Sequence, residues 1–289
     1  MSFSAERAVF PQRPVLRYHG GKWLLAPWII SFFPAHETYV EPFGGAASVL
    51  LRKPPSANEI YNDLDADVAN LFSVLRGAEA SELVRQLQLT PFSRIEWEQA
   101  YQHCDDTLER ARRLVVRSYM GFSSAGSSVE HQTGFRYKPV GSRVTPARDW
   151  AAYPESLATV CARLQGVVVE NRSAFELIPA LDSPRTLFYV DPPYLLDTRV
   201  TEARRNPCYR HELTDNEHRR LLLLLRGVRG YVVLSGYAHP LYEELLHDWV
   251  REDRSHIADS GGPRLESVWL NPACAAQQSQ LRLPGFDAT

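Results

Sequence analysis

The sequence predicts an α/β protein built on a doubly wound, mostly parallel sheet. Short apolar strands recur along the chain, each followed by a helical pattern, and that alternation implies parallel strands covered by helices on both faces. A glycine turn at 42–48 follows the first strand and an acid follows the second, as in units that bind nucleotides. Between about residues 77 and 165 the strand rhythm stops and only helical patterns occur, which marks an inserted helical segment.

Taken in order, Gly20-Gly21 makes a turn, and the apolar stretch after it is a short helix ended by Pro34. Residues 37–41 form a strand, 42–48 the glycine turn, and 49–51 the start of a helix. A second strand at 59–62 runs to Asp63, with a helix through 68–75. In the insertion, Ser93-Arg-Ile-Glu96 fits a capping box and 109–117 reads as a helix with one cationic face. Strands return at 167–170, 187–190 and 231–234. The capping box Thr214-Asp-Asn-Glu217 announces the helix carrying 221–225. A final pair around 249–251 and 267–270 is expected to close the sheet as an antiparallel edge. The frame therefore divides into 14–76 and 166–275, with 77–165 inserted between them.

Composition narrows the classes available. With 44% hydrophobic and 23% charged residues the chain folds, and disorder is a poor description of it. No apolar run approaches the roughly 20 residues needed to cross a bilayer, and the first residues lack the apolar stretch of a secretion signal, so a cytoplasmic protein is expected. Cys104, Cys161, Cys208 and Cys274 are far apart and form no C-x-x-C pair, which suggests neither a disulfide framework nor a metal site. A net charge of −2 argues against a protein that coats nucleic acid over its whole surface. Charge is nonetheless segregated: Arg110, Arg112, Arg113, Arg117, Arg136, Lys138, Arg143 and Arg148 face a single acid, Glu130, in the same span.

Two motifs carry chemistry. In Glu41-Pro-Phe-Gly-Gly-Ala-Ala-Ser48 the glycines permit a tight turn and close approach of a ligand to the backbone. Asp63, nineteen residues after Gly44, is spaced to bind ribose hydroxyls. The turn is not G-x-G-x-x-G, so a nucleoside ligand without a pyrophosphate fits better than a nicotinamide dinucleotide. Tyr18 and Lys22, beside Gly20-Gly21, add an aromatic face and a cation.

The second motif, Asp191-Pro-Pro-Tyr194, ends the strand 187–190. The prolines stiffen the corner and set the direction of its carbonyls, and Tyr194 offers a flat ring. An exocyclic amine of adenine or cytosine suits such a site. Its lone pair is delocalised into the ring. Hydrogen bonds from its two N–H groups to Asp191 and the Pro192 carbonyl favour a pyramidal nitrogen aimed at an electrophile.

These motifs resemble those of the Dam-like N6-adenine DNA methyltransferases. The resemblance covers roughly residues 14–75 and 165–272, and it is most specific at Asp191-Pro-Pro-Tyr194, at Val40-Glu-Pro-Phe-Gly-Gly45 and at Arg17-Tyr-His-Gly-Gly-Lys22. It implies a seven-stranded methyltransferase sheet, S-adenosylmethionine as methyl donor and DNA as partner. By the resemblance, Tyr18, Lys22, Glu41, Pro42, Phe43, Gly44, Gly45, Asp63 and Asp191 meet the donor, and Asp191, Pro192, Pro193 and Tyr194 form the catalytic turn. Ala174 stands where the family often has Asp, which leaves Phe175 as the nominee beside the donor's adenine. Ala47 replaces a frequent second glycine. The insertion corresponds to the target-recognition part. Its DNA contacts are expected from Arg112, Arg113, Arg117, Tyr119, Arg136, Lys138 and Arg143, with the target base flipped out of the duplex. The same amine geometry also serves cytosine N4, and a non-catalytic nucleic-acid-binding protein on this scaffold is the alternative from another class.

Overall fold

The computed structural model describes residues 10–122, 132–137, 145–199, 209–257 and 263–281. Its strands are β1 (Thr38–Glu41), β2 (Asn58–Asn62), β3 (Val167–Glu170), β4 (Thr186–Val190), β5 (Tyr231–Gly236), β6 (Val250–Ile257) and β7 (Pro263–Leu270). They form one seven-stranded sheet in the order β3-β2-β1-β4-β5-β7-β6. The pairs from β3 to β5 are parallel. The closing pair is longer than the sequence suggests, and β7 inserts antiparallel between β5 and β6.

Alternation along the central strands sorts side chains to two helical layers, because successive residues point to opposite faces. Tyr39, Tyr61, Leu187, Tyr189 and Val233 face α1 (Ala26–Ile30), α2 (Ala66–Arg76), α3 (Ala80–Leu89), α4 (Arg94–Gln99), α5 (Thr107–Met120) and α6 (Pro146–Leu164). Val40, Phe188, Val190, Val232 and Leu234 face α7 (Ala174–Leu181), α8 (Asp215–Arg226) and α9 (Pro240–Leu245). A last helix, α10 (Pro272–Leu281), seats Cys274 against the first layer. Helices α3 to α6 share that core through Leu83, Trp97, Leu114 and Leu157.

Two expectations change at the level of local structure. Residues 49–51 do not begin a helix: Gly45 and Ala47 both take positive φ, at 49° and 52°, and the chain continues in tight turns. Such dihedrals cannot propagate a right-handed helix. The capping box at Thr214 is complete, with Thr214 and Glu217 each satisfying the other's backbone N–H. At Ser93 only half forms, since Ser93 accepts from Glu96 N while the Glu96 carboxylate turns to Arg112.

Among the described residues no helix is long and apolar enough to cross a membrane, and no group of three or more His, Cys, Asp or Glu is placed to hold a metal ion.

Candidate active site

The carboxyl ends of β1, β2 and β4 bring Glu41, Asp63 and Asp191 to one edge of the sheet. The strand order reverses between β1 and β4 there, where open α/β sheets form their clefts. A cavity of about 400 Å³ opens at that point. Of the residues named from sequence, Tyr18, Lys22, Glu41, Pro42, Phe43, Gly44, Gly45, Asp63, Phe175, Asp191 and Pro193 line it.

The glycine turn is held from beneath. Gly44 N donates to Asn62 O at 2.8 Å, and Gly45 N donates to the Asp63 carboxylate at 2.8 Å. A Cβ on Gly44 would come within 2.1 Å of the Tyr61 ring. That ring cannot withdraw, because its hydroxyl donates to Gly45 O at 2.7 Å and its other side packs on Phe72. Gly44→Ala is therefore expected to cost about 1–3 kcal/mol of stability by overpacking. Thermal unfolding beside Gly21→Ala, whose new Cβ meets its nearest atom only at 3.2 Å, checks this; equal melting temperatures would refute it.

Electrostatics distinguish the acids. Asp63 is raised to about 6 by burial, offset in part by the N–H groups of Asp65 and Gly45. Both of its oxygens are thus engaged by backbone, and Asp65, also on the cavity wall, caps α2 by accepting from Asp67 N. Burial raises Glu41 to about 8 against hydrogen bonds from the Tyr39 hydroxyl and Leu50 N. Those bonds both use Oε1; Glu41 Oε2 and Ser48 Oγ, also on the cavity wall, are buried with no hydrogen-bond partner among the described residues.

Lys22 ties the N-terminal Gly20-Gly21 turn to the catalytic turn. Its ammonium lies 3.1 Å from Asp191 Oδ2, donates to Gly20 O at 2.7 Å and sits 4.8 Å above the Tyr194 ring. Burial pulls its pKa down, but Asp191 and Glu266 outweigh burial and hold it above the ordinary lysine value. Burial keeps Asp191 above the ordinary aspartate value despite Lys22. Tyr194 stands behind this pair: its hydroxyl donates to Glu266, and Tyr237 meets its ring edge-on at 4.7 Å.

Three features of the site leave little local mark in the sequence. Glu266 lies on β7, where period two sets it in line with Val268 and Leu270 on a core face; a charge in that alternation was the available signal. A second is His218. It is fully buried in α8, its Nδ1 3.0 Å from the Tyr242 hydroxyl, and burial lowers its pKa to about 4, so the ring is neutral. Tyr209 and Arg210 close one side of the cavity, with Tyr209 donating to His19 O at 3.2 Å and Arg210 bonded to Asp65 and Asp67.

The nominated DNA contacts are placed differently from one another. Tyr119 is only 2% exposed, packs on Tyr153 at 4.1 Å and donates to Pro14 O; as a core residue it does not reach a ligand outside. Arg112 bonds Glu96 and Glu109, Arg113 bonds Glu109, and Arg117 bonds Asp67 and Ala100 O. The cationic face of α5 is thus fastened to acids on α2 and α4 and within its own first turn. Arg136 lies 3.9 Å from Asp149. Lys138 and Arg143 lie outside the described residues.

A parallel sheet closed by an inserted antiparallel strand, with a glycine turn and the Asp191 and Pro193 of an Asp-Pro-Pro-Tyr turn on one cavity, is the frame of an α/β methyltransferase. The family model described as D12 class N6 adenine-specific DNA methyltransferase matches residues 18–256. The chain belongs to that family, and is accordingly a DNA adenine methyltransferase. No individual curated protein matches it.

Proposed function

We propose that the protein methylates N6 of adenine in DNA using S-adenosylmethionine, with the target base flipped out of the duplex to meet Asp191 and the Pro192 carbonyl. One observation carries the reading: the Asp191 carboxylate, the Lys22 ammonium paired with it and the Gly44-Gly45 turn are walls of the same cavity.

The residues present fit the donor. Glu41 Oε2 is a buried acceptor without a partner among the described residues, suited to a cationic ligand, and Asp63 and Asp65 flank the cavity as hydroxyl acceptors. Phe175 contributes an apolar wall, with the Arg220 guanidinium 4.4 Å from its ring centre on the side chain's own layer. When bound, S-adenosylmethionine supplies a methyl group made electrophilic by its sulfonium.

The chain's own work is orientation. Asp191 and the Pro192 carbonyl accept from the two N–H groups of the amine, which concentrates its lone pair on nitrogen. Lys22 holds Asp191 in place, and the fixed φ of both prolines keeps the corner from relaxing. A duplex hides this amine, so the base must leave the stack. We assign target recognition to the segment 77–165, with 14–76 and 166–275 as the catalytic frame. Asp67 joins the two: it accepts from Arg110 and Arg117 of α5 and from Arg210 on the cavity wall.

Labelled S-adenosylmethionine incubated with DNA, followed by digestion to nucleosides, tests the function. Label in N6-methyl-2′-deoxyadenosine is expected; label in N4-methyl-2′-deoxycytidine, or none, would sink it.

Donor binding carries its own pH signature. A cation beside Glu41 favours the ionised carboxylate, so binding expels the proton that burial retains up to about pH 8. Affinity is expected to rise from pH 6 to pH 8 and then level off, measured calorimetrically in buffers of different ionisation heat. In Glu41→Gln the rise should vanish; an unchanged rise would place the linked proton elsewhere.

A further inference from the structure

We propose that Glu266 is a positioning residue for the transfer, sharing the Lys22 ammonium with Asp191 and anchoring the Tyr194 hydroxyl. The inference rests on the reading of Asp191 as the group that meets the amine.

Its geometry is specific. Glu266 comes from β7, the antiparallel strand beside β5, and its side chain is 2% exposed. One oxygen, Oε1, accepts from the Tyr194 hydroxyl and lies 3.6 Å from Lys22 Nζ. Lys22 in turn lies 3.1 Å from Asp191 and covers the Tyr194 ring. Two carboxylates from distant strands therefore converge on one cation, closing a ring of four side chains behind the catalytic turn.

Folding alone gives no reason for this arrangement. An apolar residue at 266 would continue the Val268 and Leu270 face, whereas a buried carboxylate must be compensated. A second carboxylate on Lys22 does something an apolar residue cannot: it divides the ammonium's charge. Lys22 paired to Asp191 alone would neutralise the carboxylate that has to accept from the amine. With Glu266 opposite, Asp191 keeps more of its negative charge and its proton affinity, while Lys22 still fixes its position.

Titratable groups face Asp191 from several elements. Tyr189 and Tyr194 flank it on its own segment, Lys22 approaches from the N-terminal turn, and Glu41 from β1. Glu266 comes from β7, Tyr237 from the end of β5, and Tyr242 from α9. Among these described neighbours Lys22 is the sole cation, so what Glu266 draws from it is felt directly at Asp191.

The test compares Glu266→Gln with the parent enzyme. Glutamine keeps an acceptor for Tyr194 and nearly the same volume but removes the charge. The kcat for transfer is expected to fall about 10- to 100-fold, with KM for DNA and donor affinity within about twofold. Asp191 would then face the full Lys22 charge, so the acid limb of the kcat profile is expected to move to lower pH. A purely structural role would alter stability without moving that limb. Glu266→Asp keeps the charge but shortens its reach; it should lose less kcat and leave the limb in place. If only the aspartate variant folds, a kcat equal to the parent's overturns the proposal. So does Glu266→Gln with parental kcat and an unmoved limb. Asp191→Ala is assayed in parallel: if it stays active, the reading of the catalytic turn fails. If it is dead while Glu266→Gln is normal, only the role of Glu266 falls.

Discussion

Asp191→Ala is expected to lower kcat by at least about 10³-fold while the protein still folds and still binds the donor. The loss combines removal of an oriented acceptor with removal of the group nearest the amine proton, each worth about 10²-fold or more in comparable sites. Folding survives because Lys22 is not stranded: Glu266 remains 3.6 Å away and Gly20 O still accepts from the ammonium. Donor binding survives because the Gly44-Gly45 turn, Glu41 and Asp63 reach the cavity from other strands. Single-turnover methyl transfer, together with calorimetric titration of the demethylated donor product, separates these effects. A variant with parental turnover would show that another turn does the chemistry.

The second large effect is on stability. Glu59→Ala is expected to cost about 3–5 kcal/mol, because it strands two buried cations. Glu59 accepts from Lys53 at 2.5 Å and from both terminal nitrogens of Arg163 at 2.6 and 2.8 Å. Arg163 also donates to Leu50 O, so this cluster ties α6 to β2 and to the turns that follow the glycine motif. Hydrogen bonds from Arg163 and Lys53 outweigh burial and hold the Glu59 pKa below its ordinary value of 4.5. A carboxylate lowered in the folded state contributes in full above its unfolded pKa, and that contribution disappears as pH falls through the folded value. Urea unfolding at neutral pH should therefore separate the variant from the parent clearly, and the gap should shrink in acid. Coincident midpoints at neutral pH would mean that the cluster contributes nothing.

Much of the frame was legible because its signals are local. The strands at β1, β2, β4 and β5 announce themselves as short apolar runs, and the helical patterns that alternate with most of them imply a parallel sheet through a stereochemical rule that needs no coordinates. The cavity wall was legible for the same reason. Gly44, Gly45 and Asp191 follow the ends of strands, and parallel strands bring their ends together. The turn after the glycines was misread as a helix start because 49–51 is apolar in the manner of one, while the positive φ of Ala47 leaves no mark in the sequence.

Charge was the least legible property. The run of arginines along α5 looked like a surface because its own segment holds almost no acid. Beyond Glu109 in the same helix, its partners come from elsewhere: Asp67 lies 43 positions from Arg110 and 50 from Arg117. Tyr119 was misplaced likewise, since it is buried by an element distant in sequence, against Tyr153.

By itself, then, the sequence determined the α/β frame, the two motifs and the edge of the sheet on which they meet, because periodicity, glycine freedom and proline rigidity act within a few residues. Only the tertiary structure decided which charges pair. It placed Glu266 behind Lys22 by threading β7 antiparallel beside β5, and it fixed α5 to α2 through Asp67. An ion pair depends on distance in space, and that distance is set by packing between elements far apart in the chain.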